Sequence, residues 1–188
     1  MLKSIGISDI LHFDFIDPPP VESIMRGMEH LYALGALNDE GELTKTGRRM
    51  AEFPCDPTMS KCIIGSEKWG CVGDILSICA MLDVNNSVYY RPKGQEMHAD
   101  NAHKGFSQGT HGDHVALLNV YNQWKENSYQ ENWCYDNYVQ YRSMVRARDV
   151  RDQLEALCDR VEVDYKNDKP DDDKKNEAIR KALCEGFF

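Results

Sequence analysis

The stretch from Val72 to Val84 constrains the fold most, because it is apolar around nearly its whole circumference. Its large apolar residues include Ile75, Leu76, Ile78, Cys79, Met81 and Leu82. A helix that is apolar on most faces has to be covered by other elements on all sides. The run therefore predicts the central helix of a helical bundle.

Residues 1–53 predict a winged-helix domain. Val21 to Leu34 carries apolar residues at helical spacing, behind three prolines that suit a first helical turn. A tight turn at residues 39–41 predicts a short wing, and Thr44 or Thr46 can cap the helix that follows it. A helix, a tight turn and a further helix that ends before Pro54 give the compact order of such a domain.

Residues 54–163 predict a helical-bundle domain around the central run. Asp56 followed by Pro57 is typical of a helix start, and Asp113 is placed to cap a later helix. Helical patterns also cover residues 95–106, 133–139 and the segment from Ala147 to Val161. The whole chain is therefore predicted to be mainly α.

The composition changes after Val163. Residues 164–177 are charged and poor in apolar groups, which predicts a solvated linker. Residues 178–188 are amphipathic again and predict a further helix. Two aromatic residues, Phe187 and Phe188, stand at the very end, which indicates a truncated chain.

Charge and cysteine content limit the function classes. The chain has 22 Lys+Arg against 31 Asp+Glu, and its formal charge of -9 would repel a polyanion unless the cations gather on one surface. Seven cysteines without a CxxC pair indicate reduced, mostly buried thiols rather than a disulfide or zinc framework. No window approaches the roughly 18 apolar residues of a membrane span, and no signal peptide is apparent, which favours an intracellular protein without a membrane partner.

Cations crowd the start of the predicted last long helix, namely Arg142, Arg146, Arg148 and Arg151. The helix macrodipole makes cations mildly unfavourable there. One interpretation is a phosphate site, in which guanidinium groups lie beside free helix-start amides and Ser143 adds a hydroxyl. The other is ion pairing at helical spacing with acidic residues, namely Asp149, Asp152 and Glu155. The residues alone leave both interpretations open.

Two other groups of side chains have a functional and a structural interpretation. Aromatic residues just before the arginines could stack on bases, although core packing is favoured for them: Trp133, Tyr135, Tyr138 and Tyr141. His111, Asp113 and His114 offer three possible metal ligands. A metal site is not favoured, because the stretch spans a glycine-rich break and Asp113 is better explained as a helix cap.

Motifs along most of the chain resemble the C-terminal part of DEAH-box RNA helicases. The winged-helix motifs are Asp14-Phe15, Asp17-Pro18-Pro19-Pro20-Val21-Glu22, Leu31-Tyr32-Ala33-Leu34-Gly35-Ala36-Leu37 and Leu43-Thr44-x-x-Gly47. The motifs similar to the helicase-associated, or ratchet, domain are Phe53-Pro54-x-Asp56-Pro57, Gly112-Asp113-His114, Leu117-Leu118-Asn119-Val120-Tyr121, Trp133-Cys134-Tyr135 and Arg142-Ser143. The region that resembles the family spans roughly residues 2 to 163.

Further segments resemble one subfamily, the spliceosome-activating DEAH-box ATPase of pre-mRNA splicing. They are Val84-Asn85-Asn86-Ser87, His98-Ala99-Asp100-Asn101-Ala102 and Arg146-Ala147-Arg148-Asp149-Val150-Arg151. Ile179 to Leu183 is similar to the lead-in to the family's OB-fold, so residues 178–188 are expected to be the lead-in helix of an OB-fold that the sequence does not contain.

The resemblance implies a nuclear RNA helicase that works in the spliceosome on single-stranded pre-mRNA. The phosphate loop and the Asp-Glu-Ala-His box do not occur in the sequence, so no catalytic residue is expected in this chain. ATP and Mg²⁺ would be held by the RecA-like motor of the parent protein. Residues 54–163 would line the RNA channel, with RNA-binding candidates Arg142, Ser143, Arg146 and Arg148, of which Arg142 is the strongest.

The resemblance also implies a protein partner. The helicases that this chain resembles are activated by glycine-rich G-patch proteins, whose short helix docks on the winged helix. The candidate contacts are Leu31, Leu34 and Leu37.

The sequence has two alternative functional interpretations. One is a non-enzymatic protein-interaction scaffold. The other, duplex-DNA reading by the helix from Val21 to Leu34, is disfavoured because Arg26 stands there between Glu22 and Glu29.

Overall fold

The computed structural model describes residues 1–84, 88–109, 112–166, 168 and 174–187, and these residues are mainly helical, as predicted. Their α-helices are α1 (Val21–Ala33), α2 (Lys45–Ala51), α3 (Pro57–Ser66), α4 (Val72–Val84), α5 (Glu96–Ser107), α6 (Asp113–Glu126), α7 (Glu131–Asp136), α8 (Tyr141–Arg160) and α9 (Lys175–Phe187). Within the described ranges, β-pairing consists of two isolated antiparallel bridges, Leu37 with Leu43 and Tyr89 with Val139.

The first bridge forms the wing between α1 and α2. Thr44 follows it and caps α2: its Oγ1 accepts a hydrogen bond of 3.0 Å from the Gly47 amide and donates one of 2.7 Å to the Gly35 carbonyl. Gly47 is buried against the Ala36 carbonyl, at a point where a Cβ would overlap that oxygen. The Thr-x-x-Gly spacing therefore has a steric reason as well as a capping one.

The central position predicted for the run from Val72 to Val84 is confirmed. Ile75, Leu76 and Ile78 are fully buried in α4, which contacts α3, α6, α8 and α9. An apolar run of this kind can be buried on all sides only where several helices surround it.

The buried apolar side chains form two clusters. The first joins the winged helix to α3, α4, α9 and the C-terminal half of α8, and it contains Phe53, Ile63 and Ile179. The second lies at the other end of α4 and is built around Trp124 and Met144. The winged helix and the start of the bundle therefore share one core.

Helix α9 packs along α3. Ile179 and Ala182 are fully buried there, and Gly186 lies so close to the Thr58 carbonyl and the Cys62 Sγ that a Cβ would overlap both. The predicted helix at residues 178–188 is present from Lys175 to Phe187, while Phe188 lies outside the described residues.

The helix start predicted at Asp56 and Pro57 is confirmed, although the Asp56 side chain accepts no capping hydrogen bond. Two other local predictions differ from the structure. Gly112 rather than Asp113 is the N-cap of α6. The short helix predicted at residues 133–139 spans Glu131–Asp136 instead. Tyr138 has a positive φ of 55°, which the α-helix cannot accommodate, so the chain leaves the helix and Val139 pairs with Tyr89.

The described part of the charged segment after Val163 contacts the start of α4. Asp168 Oδ2 accepts a hydrogen bond of 2.6 Å from the Gly73 amide, and Lys175 Nζ lies 3.1 Å from Asp74 Oδ1. Burial raises the pKa of Asp168 despite this hydrogen bond. This carboxylate is therefore partly buried against the start of α4. Residues 167 and 169–173 lie outside the described ranges.

None of the described helices is both long enough and apolar enough to cross a lipid bilayer.

Candidate nucleic-acid interface

The N-terminus of α8 is held by the second bridge. The Gln140 amide donates a hydrogen bond of 2.8 Å to the Val88 carbonyl, and the Tyr90 amide donates one of 3.1 Å to the Tyr138 carbonyl. The first turn of α8 contains no acidic residue, so no carboxylate there competes for the partial positive charge of the helix start.

Arg142 and Arg146 lie one helical turn apart at this end of α8. Arg142 is exposed, and no ion pair joins it to a residue that the structure describes. Arg146 is 70% exposed and its Nη2 lies 3.8 Å from Asp83 Oδ2, which is itself half exposed. Because an exposed ion pair of this length contributes little, both guanidinium groups are available to an anion.

The other two arginines have partners. Arg148 Nη2 lies 3.5 Å from Asp149 Oδ1, and its guanidinium lies 5.7 Å from the centroid of the Tyr129 ring. Arg151 is 15% exposed, forms an ion pair of 2.7 Å with Glu155 and donates a hydrogen bond of 2.9 Å to Ser77 Oγ. The ion-pair interpretation therefore applies to Arg151. Arg148 has a longer ion pair and fits either interpretation.

Ser143, the fourth RNA-binding candidate, is 9% exposed and does not share the open surface of Arg142. Its proposed hydroxyl contact to RNA stays a prediction.

The aromatic residues before α8 mostly pack in the core. The Trp133 ring lies 6.0 Å from that of Phe106, and Tyr141 lies 6.3 Å from Trp124. Tyr138 donates a hydrogen bond of 3.0 Å to Gln95 Oε1. Tyr135 is different, because 59% of it is exposed.

The possible metal ligands His111, Asp113 and His114 are described only in part. No group of three metal-binding side chains occurs among the residues described. His111 lies outside them, and His114 has its ring 6.3 Å from that of Phe187.

The three leucines of the winged helix do not form one exposed groove. Leu31 and Leu37 border an apolar cavity of about 540 Å³ beneath the N-terminal segment. Leu34 borders an open depression of about 790 Å³ between α1, α3 and α9. Because Leu34 and Leu37 are 8% and 3% exposed, they can offer a partner little area, and exposed Ala33 at the rim of the depression offers more.

Trp69 lines that depression, a position that its place in a helical pattern did not predict. The ammonium groups of Lys68 and Lys181 lie 4.8 Å and 5.0 Å from the centroid of its ring. Lys181 is far away in the sequence, so only the packing of α9 on α3 brings it there.

Comparison with known protein families matches this arrangement to helicase-associated domains. Residues 27–55 match the winged-helix part of the helicase associated domain (HA2), and residues 56–117 match its ratchet-like part. The chain thus contains a helicase-associated winged helix followed by a ratchet domain. Domains of this kind are typical of DEAH/RHA helicases, which are ATP-dependent. The arginines of α8 lie beyond the matched residues.

Proposed function

We propose that this chain is the C-terminal accessory region of a DEAH-box RNA helicase that acts in pre-mRNA splicing, and that α8 lines its RNA channel. One observation carries the RNA-binding part: Arg142 and Arg146 stay exposed at the start of α8 although the chain has a formal charge of -9. In a chain with an excess of carboxylates, two exposed guanidinium groups, of which Arg146 has only a long ion pair of 3.8 Å with Asp83, are suited to binding phosphate.

The mechanism is mechanical. The RecA-like motor of the parent protein would hold ATP and Mg²⁺ and move against the ratchet domain during hydrolysis. Arg142 and Arg146, with Arg148 beside them, would hold the sugar-phosphate backbone between steps. Ser143 is suited to supporting the first turn of α8, since its side chain is mostly covered.

The isolated chain should bind RNA weakly. Two phosphate contacts supply little affinity, and the excess of carboxylates repels the strand at longer range. Binding should therefore be measurable at low salt and fall steeply as salt is added.

The test compares two double variants that remove the same charge. Arg142→Gln/Arg146→Gln removes the proposed phosphate contacts, whereas Arg26→Gln/Arg48→Gln removes two exposed arginines of the winged helix. Fluorescence anisotropy with a labelled single-stranded RNA is measured over a salt series. We expect the first variant to bind more weakly and to lower the slope of log K against log salt by about 1.4, at about 0.7 per phosphate on a single strand. Equal effects of the two variants would disprove the proposal.

The winged helix is the proposed docking site of a G-patch activator, and the depression beside Leu34 supports this placement. Its lining is mostly apolar by area, and the charged residues Lys61, Arg180 and Lys181 stand there beside Glu177 and Glu185, which suits a short helix with an apolar face and mixed polar flanks. Ala33→Glu should weaken binding of a labelled G-patch peptide, and Ser23→Glu, also exposed on α1, should not. Unchanged binding in Ala33→Glu would place the partner elsewhere.

The splicing assignment and the nuclear location are tested in the parent protein. Affinity purification of the tagged parent from nuclear extract should recover spliceosomal RNA. A parent protein found outside the nucleus, or one without spliceosomal RNA, would assign the same domains to another helicase of this class.

A further inference from the structure

A cavity of about 650 Å³ lies between the segment that follows the second bridge, α5 and the start of α6. We name it the Tyr90 cavity; its lining includes Tyr89, Tyr90, Arg91, Asp100, His103 and Lys104. Its volume lies within the range of sites that hold small organic groups. The sequence patterns and the proposed function leave these side chains without a role.

The aromatic wall of the Tyr90 cavity is fixed by its own contacts. The Tyr89 ring lies 4.3 Å from that of His103, and His103 Nε2 lies 3.0 Å from the Tyr138 carbonyl oxygen. Because a carbonyl only accepts, His103 is the donor in this contact. The Tyr90 ring lies 6.0 Å from that of Tyr138. The rings are tilted to one another, by 42° for Tyr89 and His103 and by 57° for Tyr90 and Tyr138, so each offers its own face to a base rather than one common plane.

The polar wall has both donors and an acceptor. Arg91 Nε lies 2.7 Å from Asp100 Oδ1, and the Arg91 side chain is 65% exposed. Asp100 Oδ1 is buried and, despite this short ion pair, has no aligned hydrogen bond. Lys104 is exposed at the rim. A guanidinium group beside a carboxylate matches the mixed donors and acceptors at the edge of a nucleobase.

The Tyr90 cavity is joined directly to the start of α8. Tyr90 and Arg91 continue the strand-like segment whose Val88 carbonyl accepts from the Gln140 amide. Gln140 is the N-cap of α8, two residues before Arg142. The cavity and the exposed arginines are therefore fixed to one another through a single pair of backbone hydrogen bonds.

We propose that the Tyr90 cavity takes one unpaired base of single-stranded RNA, a proposal that rests on the function assigned above to Arg142 and Arg146. The base would lie against the aromatic wall, with its polar edge toward Arg91 and Asp100. The phosphates of the same strand would lie on Arg142 and Arg146. Contacts to a base through stacking tolerate different sequences, as a moving strand requires.

The test uses the 188-residue chain and two labelled oligonucleotides of equal length, oligo(rA) and a fully abasic strand with the same phosphates. We expect wild type to bind oligo(rA) at least about fivefold more tightly, the factor that corresponds to stacking of one base. Tyr90→Ala should remove this preference, whereas Tyr90→Phe, which keeps the ring, should retain it. Circular dichroism and thermal melting check that each variant is folded.

The two proposals fail in different ways. Arg142→Gln/Arg146→Gln should weaken both strands by the same factor and leave the base preference intact. Equal binding of both strands by wild type would overturn the base site and leave the phosphate site standing. Failure of both strands to bind at protein concentrations up to about 100 µM, the weak end of non-specific binding, would overturn both proposals.

A second measurement does not depend on the variants. RNA that contains 4-thiouridine is cross-linked to the chain by ultraviolet light, and the modified peptides are identified by mass spectrometry. Cross-links within residues 89–104 support the base site, and cross-links confined to other peptides overturn it. Free AMP is added as a competitor: displacement of the strand from these peptides shows that the cavity takes the base alone, whereas persistence shows that it needs the linked phosphates.

Discussion

The guanidinium of Arg151 donates a hydrogen bond of 2.9 Å to the hydroxyl of Ser77, so the longest described helix is joined to the central one by a largely buried polar contact. Arg151→Met keeps most of the side-chain length and removes both this hydrogen bond and the ion pair with Glu155. We expect the free energy of unfolding to fall by about 1.5–3 kcal/mol, the range for a hydrogen bond to a charged group. Urea denaturation followed by circular dichroism measures this.

Arg142→Met is the matched control, because Arg142 is exposed and contributes no ion pair to a described residue. Its free energy of unfolding should change by no more than about 0.5 kcal/mol. Equal losses in the two variants would contradict the division of the arginines into structural and RNA-binding ones.

Gly186 allows α9 to approach α3. In Gly186→Ala the added methyl group would overlap the Thr58 carbonyl and the Cys62 Sγ. We expect a loss of about 1–3 kcal/mol in the free energy of unfolding, which is typical of overpacking. Hydrogen exchange should quicken in α9.

Gly27→Ala provides the comparison, since Gly27 lies inside α1 and a Cβ there meets nothing within 4 Å. Alanine favours the helix over glycine, so this variant should gain about 0.5–1 kcal/mol. A tolerated Gly186→Ala, together with unchanged exchange in α9, would show that α9 is not docked as described.

The buried thiols should not react with alkylating reagents in the folded chain. Burial raises the pKa of Cys71, Cys134 and Cys158 to about 12, and the thiolate is the reactive form. At pH 8 an alkylating reagent should therefore label exposed Cys184 first and these three only after unfolding. Mass spectrometry of peptides after timed labelling measures the order, and prompt labelling of Cys158 would refute its burial.

The raised pKa values of these thiols also predict a loss of stability at alkaline pH. The pKa of these thiols is higher in the folded chain than the ordinary value of 9.0, so the unfolded chain releases more protons as the pH rises between about 9 and about 12. The free energy of unfolding should decrease through that window. A Cys134→Ala variant should show a smaller decrease, and an identical decrease would assign it to other groups.

Thr44 links the wing to α2 through both of its hydrogen bonds. Thr44→Ala removes the cap and should lower the free energy of unfolding by about 0.5–2 kcal/mol. Thr44→Ser keeps the hydroxyl and should stay near wild type. Thermal unfolding compares them, and a serine variant as unstable as the alanine variant would assign the effect to the lost methyl group.

Features that depend on local chemistry could be predicted from the sequence. The central burial of α4 followed from its apolar circumference, and the cap of α2 is Thr44, one of the two threonines that the sequence offered for it. The helix at residues 133–139 was misplaced because no residue pattern signals the positive φ of Tyr138, which depends on the pairing of Val139 with Tyr89.

Contacts between distant residues could not be predicted in this way. Asp168 reaches the amide of Gly73 across 95 positions, and a charged segment gives no periodic signal for such a contact. For the arginines of α8, the sequence left phosphate binding and ion pairing open. The structure shows the ion pair of Arg151 with Glu155, while phosphate binding by exposed Arg142 stays a prediction.

The winged helix and the bundle share one apolar core. Phe53 and Ile63 belong to the same apolar cluster, although they stand on either side of the junction between the two matched regions. A displacement of α2 relative to α3 would therefore disrupt buried apolar contacts. Recombinant halves severed at this junction would each expose an apolar face and tend to aggregate.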